Sequence, residues 1–147
     1  MSKNFKNISI YIDQQQMLLG VPGGESKKYG MVELDMIFTL ALPYNEEELE
    51  SFLMMVFDKC YSEAYKDDGV TSIEKHYGIK GYAKATKNLK LVDVSWAKND
   101  GYSIIPYKKM SRSGYSGLSN DKIERLGNEF NKGDLAKAFL RAMELAE

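Results

Sequence analysis

Residues 29–60, YGMVELDMIFTLALPYNEEELESFLMMVFDKC, and residues 115–146, YSGLSNDKIERLGNEFNKGDLAKAFLRAMELA, are two versions of one pattern. Shifted by 86 positions, they coincide at Tyr29 and Tyr115, Asp35 and Asp121, Ile37 and Ile123, Leu40 and Leu126, Asn45 and Asn131, and Leu49 and Leu135. These six identities in a 32-residue window exceed the roughly two that average residue usage gives by chance. Most mismatches keep their character, as with Tyr44 and Phe130 or Phe57 and Met143. Upstream the match continues at a shift of 84, where Ile8, Ile10, Ile12, Val21 and Pro22 fall on Val92, Val94, Trp96, Ile105 and Pro106. The pattern therefore reads as strands followed by a helix, twice, in a single α+β domain over 1–147. The repeats lie at about 7–65 and 89–147, with a helical connection at about 71–88.

Within the first repeat, NISIYID alternates β-branched apolar residues with polar ones, the period of a strand buried on one face. QQQMLLGVP reads as its hairpin partner, PGGESKKYG as a turn, and YGMVELD and MIFTLALP as two further strands. The helix then starts at Asn45, a capping residue with Glu48 three positions on. Leu49, Phe52, Leu53, Val56, Phe57 and Cys60 form one apolar stripe. In the second repeat Asn131 and Asp134 stand at the cap positions, and Leu135, Ala138, Phe139, Ala142, Met143 and Ala146 form the stripe. Both helices are expected to lie apolar face down on sheet. Ser72 to Lys87 reads as a broken helical connection, and LKLVDVSW with GYSIIPY as a hairpin turning at Asp100-Gly101. SRSGYSGLS and DKIERLGNEF complete the second set of strands, although Ile123 to Leu126 also fits a helix.

At 147 residues the chain can bury about two-thirds of its unfolded surface without covalent help, and its single Cys60 cannot pair within the chain. No apolar stretch has the length of an export signal or a membrane span, so the expected location is the cytosol. With 20 basic and 21 acidic side chains the net charge is −1, and nothing global draws the protein to nucleic acid or anionic membrane.

With that pattern in view, the chain resembles the CdiI immunity proteins of bacterial contact-dependent growth inhibition systems. The residues that carry the resemblance are the central TSIEKHYGIKGYAKATKNLKLVDVSW, the YSIIPY strand, the GYSGL turn and the closing NKGDLAKAFLRAME. The resemblance implies a non-enzymatic protein that binds the C-terminal toxin domain of a CdiA-like exoprotein, often a nuclease, and neutralises it in the cytosol. Some members resemble Whirly proteins, which implies two antiparallel sheets and two main helices built from a strand-strand-strand-strand-helix repeat. It transfers no catalytic residue, and no interface residue, since each relative fits a different toxin.

Contact residues must be sought in the chain itself. Glu46, Glu47, Glu48 and Glu50 open the first helix, where the helix dipole favours carboxylates. Glu48 has a counterpart in Asp134 and is explained by capping, whereas Glu46 and Glu47 face Lys132 and Gly133 in the other repeat and are free to meet a basic nuclease groove. Met54 and Met55 widen the apolar face; Met55 corresponds to Arg141 and is a candidate partner contact. Asp67, Asp68 and Gly69 read as a helix-ending turn, because the spaced ligands of a calcium loop are missing. The expected toxin-binding residues are Glu46, Glu47, Glu50, Met55, Asp67 and Asp68, with Tyr107, Arg112 and Tyr115 as second choice.

Other chemistry finds little support. Lys108, Lys109 and Arg112 interleaved with Tyr107 and Tyr115 give the alternative reading, a single-stranded nucleic-acid binder of Whirly-like fold. His76 is the only histidine, so a two-histidine metal site is not expected, and its neighbours Glu74, Lys75 and Tyr77 form no recognised catalytic spacing, which favours a structural or surface role. Cys60 sits in the core stripe and Trp96 on the Ile12 position, both packing roles. Gly23, Gly24, Lys27 and Lys28 lack the order of a phosphate loop, and no cofactor is expected. Asp35, Asp93, His76 and Tyr77 are the only candidates for a small enzyme site.

Overall fold

The protein, a computed structural model, is described over residues 4–110 and 114–147. The elements run β1 (Phe5–Ile12), β2 (Leu18–Ser26), β3 (Gly30–Glu33), β4 (Phe38–Leu40), α1 (Glu46–Asp58), α2 (Ser72–Tyr77), α3 (Tyr82–Ala85), β5 (Lys90–Ala97), β6 (Gly101–Met110), β7 (Gly114–Gly117), β8 (Glu124–Gly127) and α4 (Asp134–Leu145). The eight strands make one antiparallel sheet in the order β3-β2-β1-β5-β6-β7, with β4 also on β2 and β8 also on β6.

Strands β1 to β4 with α1, and β5 to β8 with α4, follow one another in the same order, but the two sets share one curled sheet instead of forming two. The reason is β1, which pairs with β2 on one side and with β5, antiparallel, along its whole length on the other. Ser9 stands opposite Asp93, its own counterpart at the shift of 84, so a pseudo-two-fold axis passes through that pair. The strands β2 and β6 are long enough to hold two partners each. Leu18 to Gly20 pair with β4 and Gly23 to Ser26 with β3; Tyr102 to Ile104 pair with β8 and Tyr107 to Met110 with β7.

Alternation along the strands sends side chains to two different cores. Ile8, Ile10, Ile12, Val92 and Val94 face α1 and α4, whose stripes Leu49, Phe52, Leu53, Val56 and Phe57 and Leu135, Ala138, Phe139 and Ala142 close that layer. Tyr11, Leu19, Val21 and Leu91 point the other way and pack beneath Ile73 and Ala85 of the connection. That connection folds as α2 and α3, and Thr71 caps α2 in a capping box with Glu74.

Several local expectations are corrected. The segment PGGES continues β2, and the chain turns later, at Lys27 to Tyr29. The Asp67-Asp68-Gly69 turn leads into α2 and lies beyond the end of α1 at Asp58. Of the two readings for Ile123 to Leu126, the strand holds: β8 pairs with β6. Asn45 and Glu48 do form a capping box on α1, at 2.8 and 3.1 Å. Asn131 does not cap α4 with its side chain; Gly133 is the N-cap residue, in the left-handed conformation at φ +92°, and the side chain of Asp134 accepts from the Asn131 amide at 3.0 Å.

The orphaned amides of α4 are instead met from the other half. Glu50 on α1 accepts from the amides of Gly133 at 3.0 Å and Ala136 at 3.1 Å. A charged acceptor at a helix N-terminus satisfies free donors and complements the dipole. Replacing Glu50 by Ala should therefore lower stability in urea unfolding by about 1–2 kcal/mol. Replacing Glu47, whose carboxylate is largely solvated, should cost under about 0.5 kcal/mol. Equal effects of the two changes would show that the cap between the halves carries no weight.

Candidate functional site

The acidic opening of α1 lies against α4. Glu46 stands 4.0 Å from Lys137 and Glu47 3.7 Å from Lys132, both exposed pairs, while Glu48 and Glu50 are occupied as caps. Much of that charge is thus compensated within the chain. Met55 and Met54 are half-buried and pack on the core below α1. Asp68 is held by Lys75 at 2.8 Å and by the Val70 amide at 3.2 Å, which keeps its carboxyl below the usual range. Asp67 beside it is exposed.

The second group lies on the opposite side of the sheet. Tyr115 is half-buried, its hydroxyl donating to the carbonyls of Leu89 at 2.7 Å and Thr86 at 3.3 Å, so its ring is packed against the connection and not presented for stacking. Lys109 spans that ring at 4.8 Å and donates to Thr86 Oγ1 at 2.9 Å, and burial lowers the basicity of its ammonium. Tyr107 is half-buried in the same layer, Lys108 is exposed, and Arg112 lies outside the described residues. The fold adds what spacing did not reveal: Lys84, Lys87 and Lys90 line a groove of about 690 Å³ together with Lys109.

Between these lies a feature that the linear chain conceals. Tyr11, Tyr82 and Tyr115 meet edge to face, with ring centroids 6.1 to 6.4 Å apart. The Tyr11 hydroxyl contacts the Tyr82 hydroxyl at 2.6 Å and donates to Glu33 Oε2 at 2.5 Å. Glu33, at the end of β3, and Asp93, on the pseudo-two-fold axis, line one crevice of about 390 Å³ with Asn7 and Ser9. Asn7 donates to Asp93 Oδ2 at 3.3 Å, and the Tyr107 and Ser9 hydroxyls also stabilise this carboxyl. Burial, reinforced by the charge of Glu33, pushes the Asp93 carboxyl up to about 7. Burial also raises Glu33, against the lowering effect of hydrogen bonds from Tyr11 and Ser9. Perturbed carboxylates gathered in a concavity make it a candidate functional site.

Of the residues considered for a small enzyme, only Asp93 sits in this crevice. Asp35 is paired with Lys75 at 2.7 Å, and His76 is exposed, edge-on to Tyr77. Cys60 is buried, and burial raises its thiol. Trp96 packs on the core and donates from Nε1 to Asn128 at 3.0 Å. Among the described residues no group of three His, Cys, Asp or Glu side chains could hold a metal ion, and no helix is long and apolar enough to cross a membrane.

No protein-family model matches the sequence, and no curated protein matches it. Solved structures share its fold. The "Protein of Unknown Function NMB0488 from Neisseria meningitidis" superposes with a TM-score of 0.72 at 12% identity, over 100% of both chains. A chain of the "CdiA-CT/CdiI toxin and immunity complex from Yersinia pseudotuberculosis" superposes with a TM-score of 0.68 at 11% identity, over 97% of this chain and 98% of that one.

The raised Asp93 carboxyl fixes the direction of a pH effect. Between its ordinary value of 3.8 and about 7 the folded state holds a proton that the unfolded chain has released, so stability falls as pH rises through that window. Asp93→Asn should remove most of that slope and raise stability at pH 8 by about 1–2 kcal/mol, the ideal linkage reduced for partial solvation. Urea unfolding at pH 5 and pH 8 measures both, and parallel pH profiles for the two proteins would contradict the assignment.

Proposed function

We propose that this chain is a non-enzymatic immunity protein that binds and neutralises a cognate CdiA-type toxin domain in the cytosol. The observation that carries the reading is the likeness of fold, over almost the full length of both chains, to a chain of a toxin and immunity complex. A nuclease is the toxin best suited to it. Such an enzyme grips phosphate with lysines and arginines, and an inhibitor answers them with carboxylates that also accelerate capture. Glu46, Glu47, Asp67 and Asp68 are exposed members of the expected contact set, Asp68 also paired with Lys75; Glu50 and Met55 are half-buried and tied into the fold.

One observation favours a second reading, single-stranded nucleic-acid binding by a Whirly-like domain. The groove of Lys84, Lys87, Lys90 and Lys109 suits a polyanion. Against it, Tyr115 uses both its ring and its hydroxyl inside the protein, which leaves no stacking surface there.

The two readings separate in one experiment. The C-terminal toxin fragment encoded immediately upstream of this gene is induced in cells with and without this protein. Restored growth and a co-purifying complex are expected. No rescue and no complex, together with oligonucleotide binding that weakens steeply between 50 and 200 mM salt, about tenfold or more, would replace the first reading by the second.

A further inference from the structure

The crevice beside Asp93 is built, not incidental. Its floor is Gly23, where an added Cβ would lie 2.5 Å from the Asn7 carbonyl oxygen. The pairs Ile8–Pro22 and Val92–Pro106 are equivalent across the two-fold, so one step on Gly23 corresponds to Tyr107. The second repeat fills this position with a ring, and the first leaves it open. Phe5, Met31 and Val32 give apolar walls, and Glu33 and Asp93 give acidic ends. Met31, at the rim, is 40% exposed. Asp93 is met by Asn7 and by the Tyr107 and Ser9 hydroxyls but by no cation, and nothing cationic is paired with Glu33, among the interactions described. Two carboxyls buried near one another without a cation cost stability until an opposite charge reaches them.

An aliphatic stem ending in a positive, hydrogen-bond-donating head meets all of these conditions at once. We infer that the crevice is a socket for one lysine or arginine side chain of a partner protein, the toxin domain on the immunity reading given above. The neighbouring cavity of about 470 Å³ shares Glu33 and Val32 with it and reaches Asp67, exposed at its outer side, and Asp35, which Lys75 and Lys66 already hold. A basic nuclease face would lie along this side, with one side chain seated.

Of the titratable groups, Glu33 and Asp93 line the socket, while Tyr11 with Tyr82 stands behind Glu33, Tyr107 behind Asp93, and the Cys60 thiol donates to the Asn7 carbonyl from the helix side of the sheet. Burial holds the tyrosines and the thiol protonated near neutrality, so the two carboxyls alone set the charge there. Binding of a cation should therefore tighten as pH rises from 6 to 8.

The test has two arms. In the first, the full chain labelled with ¹⁵N is titrated with Nα-acetyl-argininamide and with Nα-acetyl-norleucinamide. Saturable amide shifts at Asn7, Gly23, Glu33 and Asp93 are expected with the arginine probe only, stronger at pH 8 than at pH 6, and lost in E33Q/D93N. Those substitutions keep the shape of the side chains, and an unchanged spectrum elsewhere verifies the fold. Absence of shifts with the wild-type chain overturns the socket. In the second arm, Kd for the upstream toxin fragment is measured, and E33Q/D93N should weaken it about tenfold or more. Wild-type binding with no loss in the variant overturns the socket while leaving the immunity reading standing. Failure of the wild type to bind the fragment overturns the immunity reading, and the probe titration then decides the socket by itself.

Discussion

The pairing of β1 with β5 is the constraint on which the rest of the molecule depends. It runs from Phe5 opposite Ala97 to Ile12 opposite Lys90 and, among the described residues, is the one ladder that joins the two halves. Because both strands lie in the middle of the sheet, both of their faces must be covered. The main helices take one face, and the connection between the repeats takes the other. Were β1 and β5 unpaired, two four-stranded sheets would each need a covering layer for the second face, and the chain has one connection to supply it. In the single sheet, the two main helices and the one connection between them cover both faces of its middle strands.

The helices carry the same logic across the layer above. Each has a narrow apolar stripe that fits a sheet, and Glu50 reaches from α1 to the start of α4. This explains how the second repeat does without a side-chain N-cap of its own. Gly133 turns the chain in the left-handed region and leaves its amides open, and the first repeat closes them. The carboxylate is thereby spent on architecture, which changes what the acidic run can offer a partner.

The sequence carried the fold through periodicity, because strand alternation, helical stripes and turn residues are local and repeat. Even the helical connection and the strand character of Lys90 to Ala97 were legible this way. What it could not carry was the joining of the repeats, since the pairing of Ser9 with Asp93 depends on residues 84 positions apart. The same limit hid the crevice. Asn7, Gly23, Glu33 and Asp93 come from β1, β2, β3 and β5, and none belongs to a recognisable spacing. Asp93 alone was marked, as a weak enzyme candidate, and the signal that would have singled it out is a carboxylate where its repeat counterpart is Ser9. Tyr107 and Tyr115, adjacent to lysines in the sequence, are half-buried against the layer under the connection, because strand position decides which face a ring occupies.

The pseudo-two-fold axis through Ser9 and Asp93 has an evolutionary reading. One repeat alone would expose β1 as a bare edge, and a second identical copy would satisfy it by self-complementary antiparallel pairing, with each helix capping its neighbour's. The chain has the geometry of a symmetric dimer tied into one polypeptide. Once tied, its halves were released from having to be the same, and the asymmetry that followed, a ring at Tyr107 against an empty place at Gly23, is something no homodimer of that ancestor could have possessed.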